Sequence, residues 1–351
     1  MDNQNIRITA WYLNPDRISQ LLGTVNVVNA ANSLLSVTGT VSPLSPASIS
    51  RNLLKEELEK YISCSNFPSY EELLVKGKIS NGSIFQIYHH FYCSGLAKYK
   101  KQYKDLPVDA VAEIHTKIEF DNNRKLRILY HPGKLMTDSA WGRLSGNSRL
   151  YSLAYIESVE KNEVKARPYI IGDLHVDEGK ATMISPIFDY GELSIGSIDS
   201  FAKVFDVTDK ETTRPVLTKL KSIPEKDIKH AFAEIIGENT VPKDWGGEKS
   251  DLFSSNVTFK KSKTPTAFLF KGPANFSPMT LKHLGKNSDQ IDRLFSEPVK
   301  IAIIQHCHEI TPQVRSLMRA YASRIHDLKY FSIIDGYDTI RLLKAYNKLG
   351  F

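Results

Sequence analysis

Several features that mark other classes of protein are missing from this sequence of 351 residues. It has three cysteines, Cys64, Cys93 and Cys307, and no CxxC pair, which excludes a disulfide framework or a zinc motif built on paired cysteines. No stretch approaches the roughly 18 consecutive apolar residues of a membrane span. The N-terminus lacks the basic start and apolar core of a secretory signal. We therefore expect a cytoplasmic protein without a membrane partner.

The composition that remains is ordinary for a globular chain, except for its charge. Hydrophobic residues make up 41% and charged residues 24% of the sequence, as in typical folded domains. The formal net charge is +7, which is compatible with a polyanionic partner such as nucleic acid. Because the length exceeds that of one average domain, we predict two domains.

Residues 1–205 predict an α+β domain rich in antiparallel strands, with a possible recognition or sensor role. Residues 53–64 place apolar side chains at helical spacing between Glu and Lys, which is typical of an amphipathic helix. From residue 79 to residue 190, short runs of β-formers alternate with turn sequences such as NG, DNN and HPG, which favours an antiparallel meander. Residues 206–221, rich in charge and threonine, are predicted to be a linker.

Residues 222–351 predict a three-layer α/β domain. Residues 224–236 and 311–325 each begin with helix N-terminal signals that include a proline, and both carry an apolar face. Apolar runs at residues 266–270, 299–306 and 330–334 are typical of buried strands. The predicted order α–β–β–α–β–α–β–α fits one domain of ordinary size.

A pair of polar residues borders the first two strands of this domain. Asp251 begins a strand after the turn-rich segment WGGEKSD, and Lys271 ends the next strand in AFLFKG. Metal-assisted phosphodiester hydrolysis needs carboxylates for Mg²⁺ and a cation near the attacking water or the phosphate, and a β-hairpin can supply both. The alternative interpretation is structural, with Asp251 as a turn residue and Lys271 as a solvated strand end.

The order of elements resembles the PD-(D/E)xK restriction-endonuclease-like superfamily, and particularly its Mrr-like branch. The resemblance rests on the helix HAFAEII, the segment GGEKSD, the strand FLFK, the strand IAIIQH and the closing segment YFSIIDGYDTIRLL. It covers residues 222–351 only. It implies a restriction-endonuclease-like nuclease domain that uses Mg²⁺ or Mn²⁺ and acts on DNA.

By this resemblance, Asp251 is a metal ligand and Lys271 the motif lysine, and Glu234 is the acid on the first helix that assists catalysis and metal binding. The sequence departs from the family at Leu269, where the motif has an acid, because leucine cannot ligate a metal. Glu234 or Glu248 is then expected to supply the missing ligand. Gln305, at the end of the next strand, is expected to contact substrate or metal.

Further side chains are candidates for contact with nucleic acid. Lys260, Lys261 and Lys263 form a basic turn that we expect beside the active site, and His306 is expected close to a phosphate. The segment at residues 88–104 mixes tyrosines with lysines, which suits the stacking of single-stranded bases. A solvated amphipathic edge gives the same letters, and the sequence favours that interpretation.

The expected function is metal-dependent endonucleolytic cleavage of DNA, in restriction or antiphage defence, by a homodimer or together with a partner protein. The alternative, supported by Leu269, is an inactive restriction-like module that binds nucleic acid or assembles a complex. An RNA substrate is a further alternative, since nothing in the sequence separates the two nucleic acids.

Overall fold

The computed structural model describes residues 5–23, 46–102, 105–118, 121, 124–177, 184–186, 191–241 and 248–351. The chain divides into a first unit, Met1–Asp189, and a second unit, Tyr190–Phe351. In the described residues, no helix is both long and apolar enough to cross a membrane.

The helices and strands of the described residues have the following bounds. The α-helices are α1 (Pro15–Leu22), α2 (Pro46–Cys64), α3 (Tyr70–Val75), α4 (Ala140–Arg143), α5 (Arg214–Lys219), α6 (Glu225–Ile235), α7 (Asp289–Phe295), α8 (Pro312–Ala322) and α9 (Gly336–Ala345). The strands of the first unit are β1 (Asn5–Leu13), β2 (Ile84–Ser94), β3 (Ala112–Lys117), β4 (Lys125–Tyr130), β5 (Gly146–Val159), β6 (Glu163–Asp177) and β7 (Ile184–Pro186). Those of the second unit are β8 (Glu192–Leu193), β9 (Leu252–Ser254), β10 (Thr258–Phe259), β11 (Ser262–Lys263), β12 (Thr266–Lys271), β13 (Ile301–His306) and β14 (Tyr330–Ile334).

In the first unit, strands β2 to β6 close into a barrel, because β6 pairs with both β4 and β5 while β2 pairs with both β3 and β5. All pairings within the barrel are antiparallel except that of β4 with β6. The order β2-β3-β4-β6-β5, returning to β2, is the connectivity of the five-stranded Greek-key barrel called the OB fold. The predicted richness in antiparallel strands is confirmed, but the order is not that of a meander.

Every second side chain along the strands points inward and fills this barrel. In β3, Ala112, Ile114 and Thr116 are buried while Glu113 and His115 are partly exposed, since successive side chains of a strand point to opposite faces. The inward side chains form one apolar cluster that includes Phe85, Ile87, Phe91, Ile114, Leu126, Ile128, Leu150 and Ile171. Strand β1 pairs antiparallel with the second half of β6.

The second unit contains a five-stranded sheet in the order β8-β14-β13-β12-β9. Strands β12, β13, β14 and β8 are parallel, and β9 is antiparallel to β12. Phe268 and Phe270 face α6, where the ring of Phe232 lies 6.4 and 5.3 Å from theirs. Leu269 is also buried, on the opposite face of β12. Burial on both faces explains why these strands read as continuous apolar runs.

The predicted linker at residues 206–221 is part of the second unit. Leu217 and Leu220 are buried in its main core cluster together with Phe201 and Val204. Strand β8, which precedes them, pairs with β14. The prediction of a first domain that ends at residue 205 is therefore wrong. The segment is rich in charged residues, but its few apolar side chains pack on the core of the second unit. Local composition alone did not predict this packing.

A buried acid on α3 gives a prediction about the pH dependence of stability. Burial raises the pKa of Glu71 to about 7, so the folded chain keeps this carboxyl protonated at acidic pH. The associated stability is fully present below about pH 4.5 and is lost as the pH rises towards 7. At pH 8 we expect the unfolding free energy of Glu71→Gln to exceed that of the wild type by up to about 3 kcal/mol, and its melting temperature to be higher. Near pH 4.5 the two proteins should be equally stable. Calorimetry at both pH values checks this.

The matched control is Glu57→Gln, because Glu57 is partly exposed and pairs with Lys60. It should show no such pH-dependent difference from the wild type. A Glu71→Gln variant that melts below the wild type at pH 8 would contradict the assignment of Glu71 as a buried, destabilising charge.

Candidate functional site at the carboxyl end of β12

Asp251 contacts the backbone of β12 close to the strand end that carries Lys271. Asp251 directly precedes β9, and its backbone amide donates to the carbonyl oxygen of Phe268 at 2.9 Å. Its Oδ2 accepts a hydrogen bond from the amide of Phe270 at 2.5 Å. Because Phe270 is adjacent to Lys271, the carboxylate lies beside the end of β12. The backbone position of Lys271 is thus one residue from the amide that the Asp251 carboxylate contacts.

A second carboxylate, which was not singled out from the sequence, lies at the same strand end. Glu225 is the first residue of α6, and its Oε2 accepts a hydrogen bond from the amide of Gly272 at 2.5 Å. A Cβ at Gly272 would lie 2.7 Å from the Cβ of Glu225, which is closer than real contacts allow. Because Gly272 has no side chain, the start of α6 can lie directly against the end of β12. The sequence signal that could have found this contact is the glycine directly after Lys271.

Two negative groups thus flank the strand end that carries Lys271. The amides of Phe270 and Gly272 are two residues apart, which is roughly 7 Å along a strand. Lys271 lies between Phe270 and Gly272 in the sequence, and its side chain is partly buried. Ligands of open α/β sheets bind beyond the carboxyl ends of the parallel strands, and β12 ends at this edge.

Leu269, which stands where a PD-(D/E)xK motif would have an acid, is a buried residue. Leu269 is 4% exposed and pairs with Ile304 across β12 and β13. Glu248, one expected substitute, lies three residues before Asp251, and its backbone carbonyl accepts a hydrogen bond from Arg293 at 2.9 Å. This contact fixes the segment beside α7, while Glu248 itself is partly exposed.

Glu234, the other expected substitute, lies elsewhere. It is nine residues after Glu225 on the same helix, or about 13 Å along the axis at 1.5 Å per residue. Its Oε2 pairs with the ammonium of Lys348 at 2.6 Å, and this partner holds the pKa of Glu234 below its usual value. The prediction that Glu234 joins the metal site is therefore wrong. The acid of α6 that faces the end of β12 is Glu225, at the opposite end of the helix.

The two residues at the end of β13 have structural roles. Gln305 is buried, and its Nε2 donates to the hydroxyl of Thr339 at 3.0 Å. His306 is also buried, with Nδ1 3.1 Å from the carbonyl oxygen of Lys271 and Nε2 2.9 Å from that of Ser277. Burial lowers the pKa of His306. The prediction that Gln305 and His306 contact substrate is corrected: Gln305 is bound to a side chain of α9, and His306 is bound to two backbone carbonyls.

The basic turn is a hairpin, as expected, but it is not beside the site. Strands β10 and β11 pair around Lys260 and Lys261, and the ammonium of Lys260 lies 3.3 Å from the hydroxyl of Tyr330. Tyr330 begins β14 and pairs with Ile301, the first residue of β13. Lys260, Lys261 and Lys263 therefore belong to the end of the sheet opposite Lys271, and the prediction that they border the active site is wrong.

Further acids lie at the carboxyl end of β14. The Oδ1 of Asp335 accepts from the amide of Asp338 at 2.9 Å and caps α9. Burial and the charge of Asp335 raise the pKa of Asp338 to about 6. A Cβ at Gly336 would lie 2.6 Å from the carbonyl oxygen of Cys307, which explains the Asp-Gly sequence at this junction. Across the described parts of the chain, no three His, Cys, Asp or Glu side chains form a ready metal site.

Comparisons with known proteins identify no relative. No family model, curated protein or solved structure matches this chain.

The close contact of Gly272 with Glu225 gives a prediction about stability. Gly272→Ala should force α6 away from the end of β12 and lower the unfolding free energy by about 1–3 kcal/mol. The control is Gly142→Ala, because a Cβ at Gly142 meets no atom within 4 Å. Chemical denaturation of both variants checks this. Equal stability of the two variants would contradict the placement of Glu225 against Gly272.

Proposed function

We propose that the second unit is a metal-dependent nuclease domain that hydrolyses DNA phosphodiester bonds. One observation carries the proposal: at the carboxyl end of β12, the carboxylate of Asp251 accepts a hydrogen bond from the amide of Phe270, the residue directly before Lys271. Acid and lysine are brought there by neighbouring strands, in the order that the PD-(D/E)xK superfamily uses.

The arrangement of the second unit supports this proposal. Helix α6 precedes the antiparallel pair of β9 and β12, and parallel strands β13 and β14 follow, each preceded by a helix. Helices α6 and α7 both contact β12, and α9 contacts β13. We take this as a three-layer, restriction-endonuclease-like domain. Because a fold alone does not fix an activity, the site residues carry the functional argument.

The donor chemistry of the site fits Mg²⁺ or Mn²⁺. Asp251 and Glu225 supply carboxylate oxygens, which are the ligands that these hard cations prefer. Each carboxylate has two oxygens that accept more than one interaction, so a hydrogen bond to a backbone amide is compatible with metal binding. Mg²⁺ is commonly held by one or two carboxylates, with water and substrate phosphate completing its shell. Asp251 and Glu225 would hold the ion in this way.

The residues around the strand end have distinct parts in the proposed hydrolysis. A bound divalent cation would neutralise phosphate charge and lower the pKa of a coordinated water. The ammonium of Lys271 would orient the attacking water or stabilise the charge that develops on the phosphate. Asp251 and Glu225 are held by backbone amides, so their positions are fixed before substrate arrives.

A second candidate function is a restriction-like module that binds nucleic acid without cleaving it. The observation that favours it is Leu269, which buries an apolar side chain where the family has its second acid. The two candidates differ in whether Glu225 replaces that acid.

A cleavage assay distinguishes these functions. The purified chain is incubated with plasmid DNA, linear DNA and RNA in Mg²⁺, in Mn²⁺ or in excess EDTA. We expect metal-dependent DNA cleavage that EDTA abolishes. Lys271→Ala and Asp251→Asn should each lower the rate by roughly 100-fold or more, because each removes a charge that acts in the transition state. Glu225→Gln should also lower it strongly.

The matched control is Glu234→Gln, which changes an acid on the same helix and should retain the wild-type rate. Thermal melting of every variant shows that loss of cleavage is not loss of fold. Cleavage that persists in Lys271→Ala and Asp251→Asn would refute the site. Absence of cleavage in all conditions, with DNA binding intact, would favour the inactive module.

A further inference from the structure

A row of polar and aromatic side chains crosses the outside of the barrel in the first unit. Tyr92 on β2 pairs with Asn147 on β5 and with His115 on β3, and His115 pairs with Arg127 on β4. Arg127 in turn pairs with Lys165 on β6. Directly opposed residues share one face of a sheet, so these five side chains form a continuous row.

This row lies on the outer face. The chain neighbours of Tyr92, Phe91 and Cys93, are buried in the barrel cluster, and so is Ile114, next to His115. Because strand side chains alternate between faces, Tyr92 and His115 point away from that core. Strand β2 pairs with β5 along residues 84–93, but with β3 only at residues 92–94. The exposed and buried side chains alternate at residues 90–93, as expected for an amphipathic strand, while Tyr92 itself has a strand neighbour on both sides.

Two aromatic rings form the centre of the row. Tyr92 is 51% exposed, and its ring centroid lies 5.2 Å from that of His115. Burial and the nearby charge of Lys125 lower the pKa of His115, although its Nδ1 lies 3.1 Å from the Glu113 carboxylate. An exposed tyrosine beside an imidazole ring offers flat faces to a planar ligand, and nucleobases stack on such faces whatever their identity.

Cations border the rings. Lys117 pairs with Lys125 across β3 and β4, and both lysines line a groove of about 660 Å³ together with His90, Tyr92, His115 and Asn147. Acids are also present on this surface: Glu113 pairs with Arg127, and Lys125 lies 3.8 Å from the Glu113 carboxylate. The groove lining itself contains lysines and no acid. Its charge is therefore complementary to a phosphate backbone, in agreement with the net charge of +7.

We propose that this groove binds single-stranded nucleic acid, with bases stacked on Tyr92 and His115 and phosphates beside Lys117 and Lys125. Barrels with this connectivity bind oligonucleotides or oligosaccharides on the face of their second and third strands, which here are β3 and β4. The lysines of the groove favour the charged one of these ligands. The proposal depends on the surface of the barrel and not on the Asp251 site. It holds whether or not the second unit cleaves DNA.

The test measures binding of a fluorescein-labelled single strand of about 15 nucleotides to the full-length chain by anisotropy, with EDTA present so that cleavage cannot interfere. DNA, RNA and duplex DNA probes are compared. Tyr92→Ala should weaken single-strand binding by roughly 5- to 150-fold, the range for loss of one stacked base. Tyr92→Phe, which keeps the ring, should bind within about twofold of the wild type.

The double variant Lys117→Ala/Lys125→Ala should also weaken binding. Its affinity should depend less steeply on salt, by about 0.7 in the log–log slope for each phosphate that is no longer neutralised. The matched control is Lys60→Ala/Tyr61→Ala, which removes an exposed lysine and an exposed tyrosine from α2 of the same unit. It should bind as the wild type does. Circular dichroism melts confirm that each variant is folded.

Three results would overturn the proposal. The first is that folded Tyr92→Ala binds single strands as tightly as the wild type, because only a non-specific interaction with a polyanion would then remain. The second is that the control variant Lys60→Ala/Tyr61→Ala loses as much affinity as Tyr92→Ala. The third is that the wild type binds no single strand at low salt. None of these results bears on cleavage by the second unit.

Discussion

Two backbone amides at the carboxyl end of β12 determine the arrangement of the candidate site. The amides of Phe270 and Gly272 donate to carboxylates from two other segments, Asp251 before β9 and Glu225 at the start of α6. A buried amide without an acceptor costs about 1–3 kcal/mol, so these bonds link the strand end to both segments. The contacts that complete the sheet edge therefore also place two acids beside Lys271.

The strands of the second unit could be predicted because burial on both faces leaves a local signal. β13 and β14 are uninterrupted apolar runs, and both lie close to the predicted bounds. Lys271 stood out because it ends such a run. Asp251 could be placed near it because a strand pair brings the start of one strand to the end of the other. These inferences needed only short-range periodicity and the order of two strands.

The remaining features depend on contacts between segments far apart in the chain. Choosing Glu225 over Glu234 requires knowing which end of α6 faces β12, and local periodicity contains no such information. The hairpin at Lys260 lies at the opposite end of the sheet because β12 separates it from Lys271 by its full length. The closure of the barrel likewise depends on the parallel pairing of β4 with β6, between strands more than 30 residues apart.

The central claim is that Asp251 and Glu225 form a cation site beside Lys271. Titration of the full-length chain with Mn²⁺, followed by electron paramagnetic resonance of the free ion, tests it most directly. The account predicts one site in the wild type that is weakened at least tenfold in Asp251→Asn and in Glu225→Gln, and that is unchanged in Glu234→Gln. Mn²⁺ binding of equal strength in all four proteins would contradict it, as would the absence of any site in the wild type.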